Sequence, residues 1–303
     1  NIKIVVTGGA GFLGQAVVKR LENLGYKNVY VPRSKDFDLR NAESCAKVVN
    51  GAGVVIHLAA NAGGIGYNRA NPGTLFYDNI LLGVNMIEES RKANVKKFVC
   101  ISTVCAYPKF TPVPFKEEDL WNGYPEETNA PYGLAKKVLL PMLQAYRQQY
   151  GFNGIYLLLV NLYGPGDSGF FNEKKAHVIP DLIRKFSLAK YKVELWGDGS
   201  PTREFLYVDD AADGIIKAME KYNEPAPVNL GLGFEISILN LANLIAEKTG
   251  FKGRIIWDTT KPNGQPKRCL DVTKAKKFGF TASKFFEEGL TQTIKWYQEQ
   301  IPK

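Results

Sequence analysis

Short apolar runs alternate with longer amphipathic stretches along the first half of the chain. Residues 2–6, 28–31, 54–58, 97–101 and 155–160 are brief runs rich in valine and isoleucine, bounded by polar or glycine positions, and each reads as a strand. The stretches between them have helical spacing. The clearest sets Leu13, Val17, Leu21 and Leu24 on one face and stops at Gly25. Further helices are predicted near 41–50, 74–93 and 133–150. Strand and helix in alternation predict an α/β fold, a Rossmann-type doubly wound parallel sheet. After Tyr163 the pattern changes: 164–169 is loop-like, 176–189, 209–221 and 238–249 read as helices, and 192–196 as a strand. The expected division is a dinucleotide-binding domain over 1–164 with a returning segment about 204–230. A smaller α/β substrate lobe is then built from 165–203 and 231–303.

Composition narrows the class. Of 303 residues, 45% are hydrophobic and 23% charged, as in a soluble globular protein. No apolar run is long enough to cross a bilayer, and no charged-then-apolar leader opens the residues given. Cys45, Cys100, Cys105 and Cys269 form no CxxC pair, and two histidines are too few for a zinc pattern. A reducing cytoplasm is therefore the expected setting, with no metal and no membrane partner. The formal charge is +9, but the lysines and arginines are scattered. That argues against nucleic acid and fits a smaller anionic partner such as a nucleotide or sugar nucleotide.

The first β-α turn carries Gly8, Gly11 and Gly14. Glycines there let the backbone approach a pyrophosphate, and the following helix presents free N–H groups and partial positive charge. At the end of the second strand, NAD sites usually place an acid for the ribose 2′-hydroxyl; this chain has Arg33-Ser34-Lys35. Two cations there would attract a 2′-phosphate, so NADP(H) is the expected cofactor. Asp38 and Leu39 are placed beside the adenine.

Farther along, residues 101–108 follow an apolar strand, so Thr103 and Cys105 should emerge at the sheet's C-terminal edge, where ligands bind in this architecture. Tyr132 and Lys136 are one helical turn apart and share a face. The glycine turn, the Ser/Thr position after the fourth strand and the YxxxK helix together resemble the extended short-chain dehydrogenase/reductase superfamily, over nearly the whole chain. The resemblance implies that Tyr132 is the general acid/base and that Thr103 bonds the substrate oxygen. It implies that Lys136 holds the nicotinamide ribose and lowers the tyrosine's pKa. Bringing a phenol from ~10 to ~7 needs about 4 kcal/mol of differential stabilisation.

Several stretches are more specific. His57-Leu58-Ala59-Ala60-Asn61-Ala62-Gly63-Gly64-Ile65, Cys105-Ala106-Tyr107-Pro108-Lys109 and Glu127-Thr128-Asn129-Ala130-Pro131-Tyr132 resemble segments of the GDP-L-fucose synthase family. So, in order, do Asn161-Leu162-Tyr163-Gly164-Pro165, His177-Val178-Ile179-Pro180, residues 196–205, 261–264 and 270–273. That family inverts carbons 3 and 5 of GDP-4-keto-6-deoxy-D-mannose and reduces the 4-keto group with NADPH, giving GDP-L-fucose.

The resemblance implies Cys105 as base and His177 as acid for the two inversions. It also implies a cofactor lined by Phe12, Leu13, Leu58, Ala59 and Ala60, with Asn161, Leu162 and His177 at its nicotinamide end. Lys185, Trp196 and Arg203 would bind the GDP-sugar, with Lys267 and Arg268 as weaker candidates for its diphosphate. Homodimers are implied as well, through a four-helix bundle of the helices near 78–93 and 134–150. His57, inside an apolar strand, reads as structural. Two departures stand out: Thr103 replaces the Ser common in the bacterial enzymes, and residues 167–176 are longer than and unlike the family segment. A sister enzyme acting on another 4-keto GDP-sugar, a heptose or a dideoxyhexose, is the alternative. A non-enzymatic NADP sensor is the remote one.

Overall fold

The computed structural model of the chain describes residues 2–167, 176–261 and 263–301. The first half runs β1 (Ile4–Thr7), α1 (Phe12–Asn23), β2 (Val29–Tyr30), α2 (Ala42–Val49), β3 (Val54–His57), α3 (Ile65–Ala70), α4 (Pro72–Lys92), β4 (Lys97–Thr103), α5 (Ala130–Lys137), α6 (Leu139–Tyr150) and β5 (Gly154–Leu159). The second continues with β6 (Asn161–Tyr163), α7 (Val178–Leu188), β7 (Lys192–Trp196), β8 (Thr202–Tyr207), α8 (Val208–Lys221), β9 (Val228–Leu230), β10 (Glu235–Ser237), α9 (Ile238–Thr249), β11 (Arg254–Asp258), α10 (Thr273–Lys277) and α11 (Phe286–Gln300).

Six strands form one parallel sheet in the order β2-β1-β3-β4-β5-β9. β1, β3 and β5 are buried at every position, because helices cover both faces; that is why these strands read as unbroken apolar runs. The sixth strand, β9, arrives only after the chain has left for the second lobe and come back. With it returns α8, which packs on α1 and is tied there by an ion pair between Arg20 and Asp213. Outside this sheet β8 pairs with β10 (antiparallel) and β6 (parallel), and β7 pairs with β11. Here α7, α9 and α11 share a second core of Ile179, Leu182, Ile183, Phe186, Leu241, Ile245, Leu290 and Ile294.

The expected single helix over 133–150 is two helices. Pro141 has no N–H to offer the Lys137 carbonyl one turn back, and the chain bends at Val138 between α5 and α6. The second strand is shorter than expected, Val29–Tyr30 alone. The helical pattern did not reveal α3 or α11, nor the 3₁₀ turn Val104–Ala106 that follows β4.

Candidate active site

The glycine turn is built for close approach. Gly8 has a φ of +70°, and a Cβ there would lie 2.9 Å from the Ala59 nitrogen. On Gly14 a Cβ would lie 2.1 Å from the Gly8 carbonyl oxygen, so only glycine lets α1 start this close to β1. Gly11 caps α1 without a side chain, and the first turn holds no acid, leaving its N–H groups to an anion.

Above this turn opens a cavity of about 650 Å³. Its walls include Gly8, Gly11, Phe12, Leu13 and Gly14 from the first turn, and Leu58, Ala59 and Ala60 after β3. Arg33, Asp38 and Leu39 close its far side. A bare cradle, a helix start without acid and a cation at the rim fit a phosphate-bearing dinucleotide. Lys35 is exposed and is not one of the wall residues. Sequence reasoning missed Arg40, Asn61 and Asp78, which also line the cavity. Arg40 grips Asp38 at 2.8 Å and Asp78 at 3.0 Å, holding the Asp38 carboxyl below its usual range. The two-residue spacing of Asp38 and Arg40 was the available signal for this clasp.

At the C-terminal end of β4 the Thr103 hydroxyl accepts the Cys105 N–H at 3.1 Å and so caps the 3₁₀ turn. Its own O–H remains to donate. α5 packs on that turn through Gly133, where a Cβ would lie 2.2 Å from the Cys105 carbonyl oxygen. The helix is pinned from the other side by Tyr156, whose hydroxyl donates to the Lys136 carbonyl at 2.9 Å and pairs with Ser102 at 2.6 Å. Tyr132 and Lys136 are thereby fixed relative to Thr103 and Cys105.

Tyr132 keeps some accessible area, yet its hydroxyl is crowded enough that burial raises its pKa, and negative charge on Cys105 raises it further. The lowering by Lys136 expected from the resemblance is not among the influences on Tyr132. Lys136 is itself buried, which lowers its pKa, and its charge acts on His57 and on Cys100, register partners on β3 and β4. His57 is fully buried, paired with Thr7 at 2.8 Å and held neutral by burial and by Lys136, as its structural reading requires.

Arg268 stands beside the Cys105 thiol, and Arg203 lies near enough for the two arginines and the thiol to feel one another's charge. Arg268 donates to the Cys105 sulfur at 3.5 Å. Arg203, on β8, has a pKa lowered to about 10, chiefly by burial and then by Arg268, with Cys105 and Glu126 working the other way. Asn161 reaches back to the Glu204 carbonyl at 3.2 Å, and Leu162 packs against the main core.

His177 occupies the N-cap position of α7: its carbonyl accepts the Asp181 N–H at 3.1 Å, and its ring makes no cap bond. It is accessible by area, but its ring lies in a crowded recess that lowers its pKa, against the opposing charge of Asp167. Lys185 lies on the same helix with its ammonium 2.8 Å from Asp181. Trp196 ends β7, exposed, with the Lys261 ammonium 6.0 Å above its ring. Residues 168–175, most of the unusual loop before His177, and Pro262 lie outside the described residues. Among the described residues no helix is long and apolar enough to cross a membrane. All four cysteines are free.

Comparison with known proteins gives the same lineage. The model of the NAD dependent epimerase/dehydratase family matches residues 4–231. The probable GDP-L-fucose synthase 1 of Oryza sativa subsp. japonica is 38% identical over 99% of this chain and 93% of its own length. Among solved structures, a GDP-6-OMe-4-keto-L-xylo-heptose reductase from C. jejuni is 29% identical, with a TM-score of 0.94 and 99% of each chain covered. A GDP-L-fucose synthetase from Naegleria fowleri bound to NADP is also 29% identical, with a TM-score of 0.87, covering 99% of this chain and 94% of that one. The chain belongs to the NAD dependent epimerase/dehydratase family, and within it to the relatives named GDP-L-fucose synthase.

Proposed function

We propose that the chain is a GDP-L-fucose synthase: it epimerises GDP-4-keto-6-deoxy-D-mannose at carbons 3 and 5 and reduces the 4-keto group with NADPH. The observation that carries this is the packing of the Tyr132 helix directly on the Cys105 turn, with Arg268 donating to the thiol. A plain reductase needs the tyrosine and lysine. It has no use for a cysteine on the turn against which that helix packs.

NADP(H) is the cofactor on this reading, held by the glycine turn with Arg33 at the 2′-phosphate, and when bound it supplies hydride to the 4-keto carbon. The ketone acidifies the protons on its two neighbouring carbons. Cys105 as thiolate takes such a proton; the C–H pair moves to the ketone oxygen as an enolate, which the Thr103 and Tyr132 hydroxyls stabilise. His177 gives a proton to the opposite face, completing an inversion, and proton exchange with solvent restores Cys105 and His177 before the second. Tyr132 then gives its proton to the oxygen at carbon 4 as reduction is completed, while Lys136 holds the ribose. Arg203 answers the diphosphate, and Lys185 and Trp196 serve the guanosine end. The residues 1–164 with 204–230 form the cofactor domain and the remainder the substrate lobe.

The partner is a second copy through α4 and α6. Ile87 is buried within its own chain, whereas Ile80, Leu81 and Val84 are only half-buried and leave an apolar stripe for that contact. A second reading, reduction of a 4-keto GDP-heptose, is favoured by the 0.94 TM-score to the C. jejuni heptose reductase. NADPH oxidation with each keto sugar separates the two: turnover of the deoxyhexose supports the synthase, and turnover of the heptose alone replaces it.

A further inference from the structure

Gln265 lies almost wholly inside the protein and uses three of its polar atoms. Its Oε1 accepts from Arg268 Nε at 2.6 Å, and its backbone carbonyl accepts from Arg203 Nη1 at 2.7 Å. Its Nε2 donates to the Lys109 carbonyl at 2.8 Å, four residues past Cys105. One residue, by its side chain and its carbonyl, thus ties the segment after β11, the strand β8 and the loop after β4 together. The two guanidiniums it gathers repel each other, and the ionisation of Arg203 reflects this. Among the described residues neither meets a carboxylate at ion-pair distance; their bonds go to neutral carbonyl oxygens and to sulfur. Two positive charges gathered in a buried place, with Glu126 acting only from a distance, make a site for an anion.

The two arginines are not equivalent. Arg268 points its Nε at the Gln265 amide and its Nη1 at the Cys105 sulfur, and it is the arginine that touches the thiol. Arg203 spends Nη1 on the Thr202 and Gln265 carbonyls, and its Nη2 faces the Gly264 side. Arg203 is thus placed for an external anion, whereas Arg268 is already committed to an internal one.

We propose that Arg268 is the counter-ion of the Cys105 thiolate, not a ligand of the diphosphate, and that Gln265 is the positioning residue that holds Arg268 on the sulfur. The assignment deepens the synthase reading and rests on it for the role of Cys105 as base. In the proton transfer the sulfur's charge passes to the enolate oxygen as S–H forms and C–H breaks, and Arg268 is the group that holds the charge at its starting point.

Iodoacetamide alkylation of Cys105, followed by peptide mass spectrometry across a pH series, tests this without any sugar substrate. Cys45, Cys100 and Cys269 are buried, so Cys105 is the cysteine that the reagent reaches. In R268M the alkylation rate at neutral pH should fall about tenfold, because the sulfur loses the cation placed against it. R268K should restore most of the rate. Q265L should fall between wild type and R268M, with NADPH affinity unchanged in all three. Unchanged alkylation in R268M, with only a raised KM for the GDP-sugar, would overturn the proposal and return Arg268 to the diphosphate. Arginine-dependent alkylation in a protein that exchanges no sugar protons would keep the pairing and reject the synthase reading instead.

Discussion

A side-chain carbon on Gly133 would come within 2.2 Å of the Cys105 carbonyl oxygen, so the helix that carries Tyr132 and Lys136 docks on the thiol's own turn through glycine alone. In Gly133→Ala the helix must withdraw by the width of the methyl group. The expected stability cost is about 1–3 kcal/mol, as for other overpacked contacts. Because Tyr132 and Thr103 separate at the same time, kcat for reduction should drop well beyond what the lost stability explains, while NADPH binding at the distant glycine turn is retained. Thermal melts beside steady-state kinetics check this; wild-type kcat in a folded G133A protein would contradict it.

Cofactor choice should turn on Arg33. It lines the cavity rim at the end of β2, whereas Lys35, two residues on, is not among the cavity's walls. Arg33→Asp should weaken NADPH about tenfold or more and leave NADH little changed, since only the 2′-phosphate loses its partner and gains a repelling charge. Lys35→Asp should do much less. Paired titrations by cofactor fluorescence decide it, and equal effects of the two substitutions would refute the assignment.

Glu204 is the buried acid beneath the substrate lobe. Oε1 accepts the Gly233 N–H at 2.7 Å and Oε2 the Leu270 N–H at 2.6 Å. Burial raises its pKa from 4.5 to about 7, against the pull of those backbone donors. A carboxyl raised on folding binds its proton more tightly in the native state. Its contribution to stability is therefore full below 4.5 and is lost as pH climbs through about 7. Glu204→Gln removes that slope. It also sets an amide NH₂ against one of two backbone donors, at a cost of about 1–3 kcal/mol. The melting temperature of E204Q should be lower by several degrees near neutrality and flatter with pH than wild type; a parallel pair of curves would refute the pH assignment.

Base and acid work should separate by mutation. Cys105→Ser should cripple epimerisation and spare part of the reduction, because a serine hydroxyl does not ionise at this pH. Tyr132→Phe should lose reduction first, because the oxygen at carbon 4 has lost its proton donor. Proton-exchange rates by NMR and NADPH oxidation, measured on the same samples, give the two activities independently. Equal loss of both in each variant would end this division of labour.

The parallel sheet and its glycine turn were legible because each depends on residues close in sequence: a buried strand is one apolar run, and the turn is seven positions from Gly8 to Gly14. The YxxxK face was legible for the same reason. The arrangement around the thiol was not. Gln265 and Lys109 are 156 residues apart and Arg268 and Cys105 163, and no periodicity reports a contact made across two lobes. Arg33 and Lys35 look alike as letters; the fold alone sets one on the cavity and the other outside it. The break between α5 and α6 was within reach, since Pro141 announces it, but the helical spacing on either side continues through it.

The most direct measurement is the product formed in deuterated water from NADPH and GDP-4-keto-6-deoxy-D-mannose. The account predicts GDP-L-fucose with deuterium at carbons 3 and 5, hydride from NADPH at carbon 4, and loss of the deuterium label in Cys105→Ser. Reduction at carbon 4 with no deuterium at either neighbour would contradict it, leaving a reductase in which the thiol beside Tyr132 has no part in the chemistry.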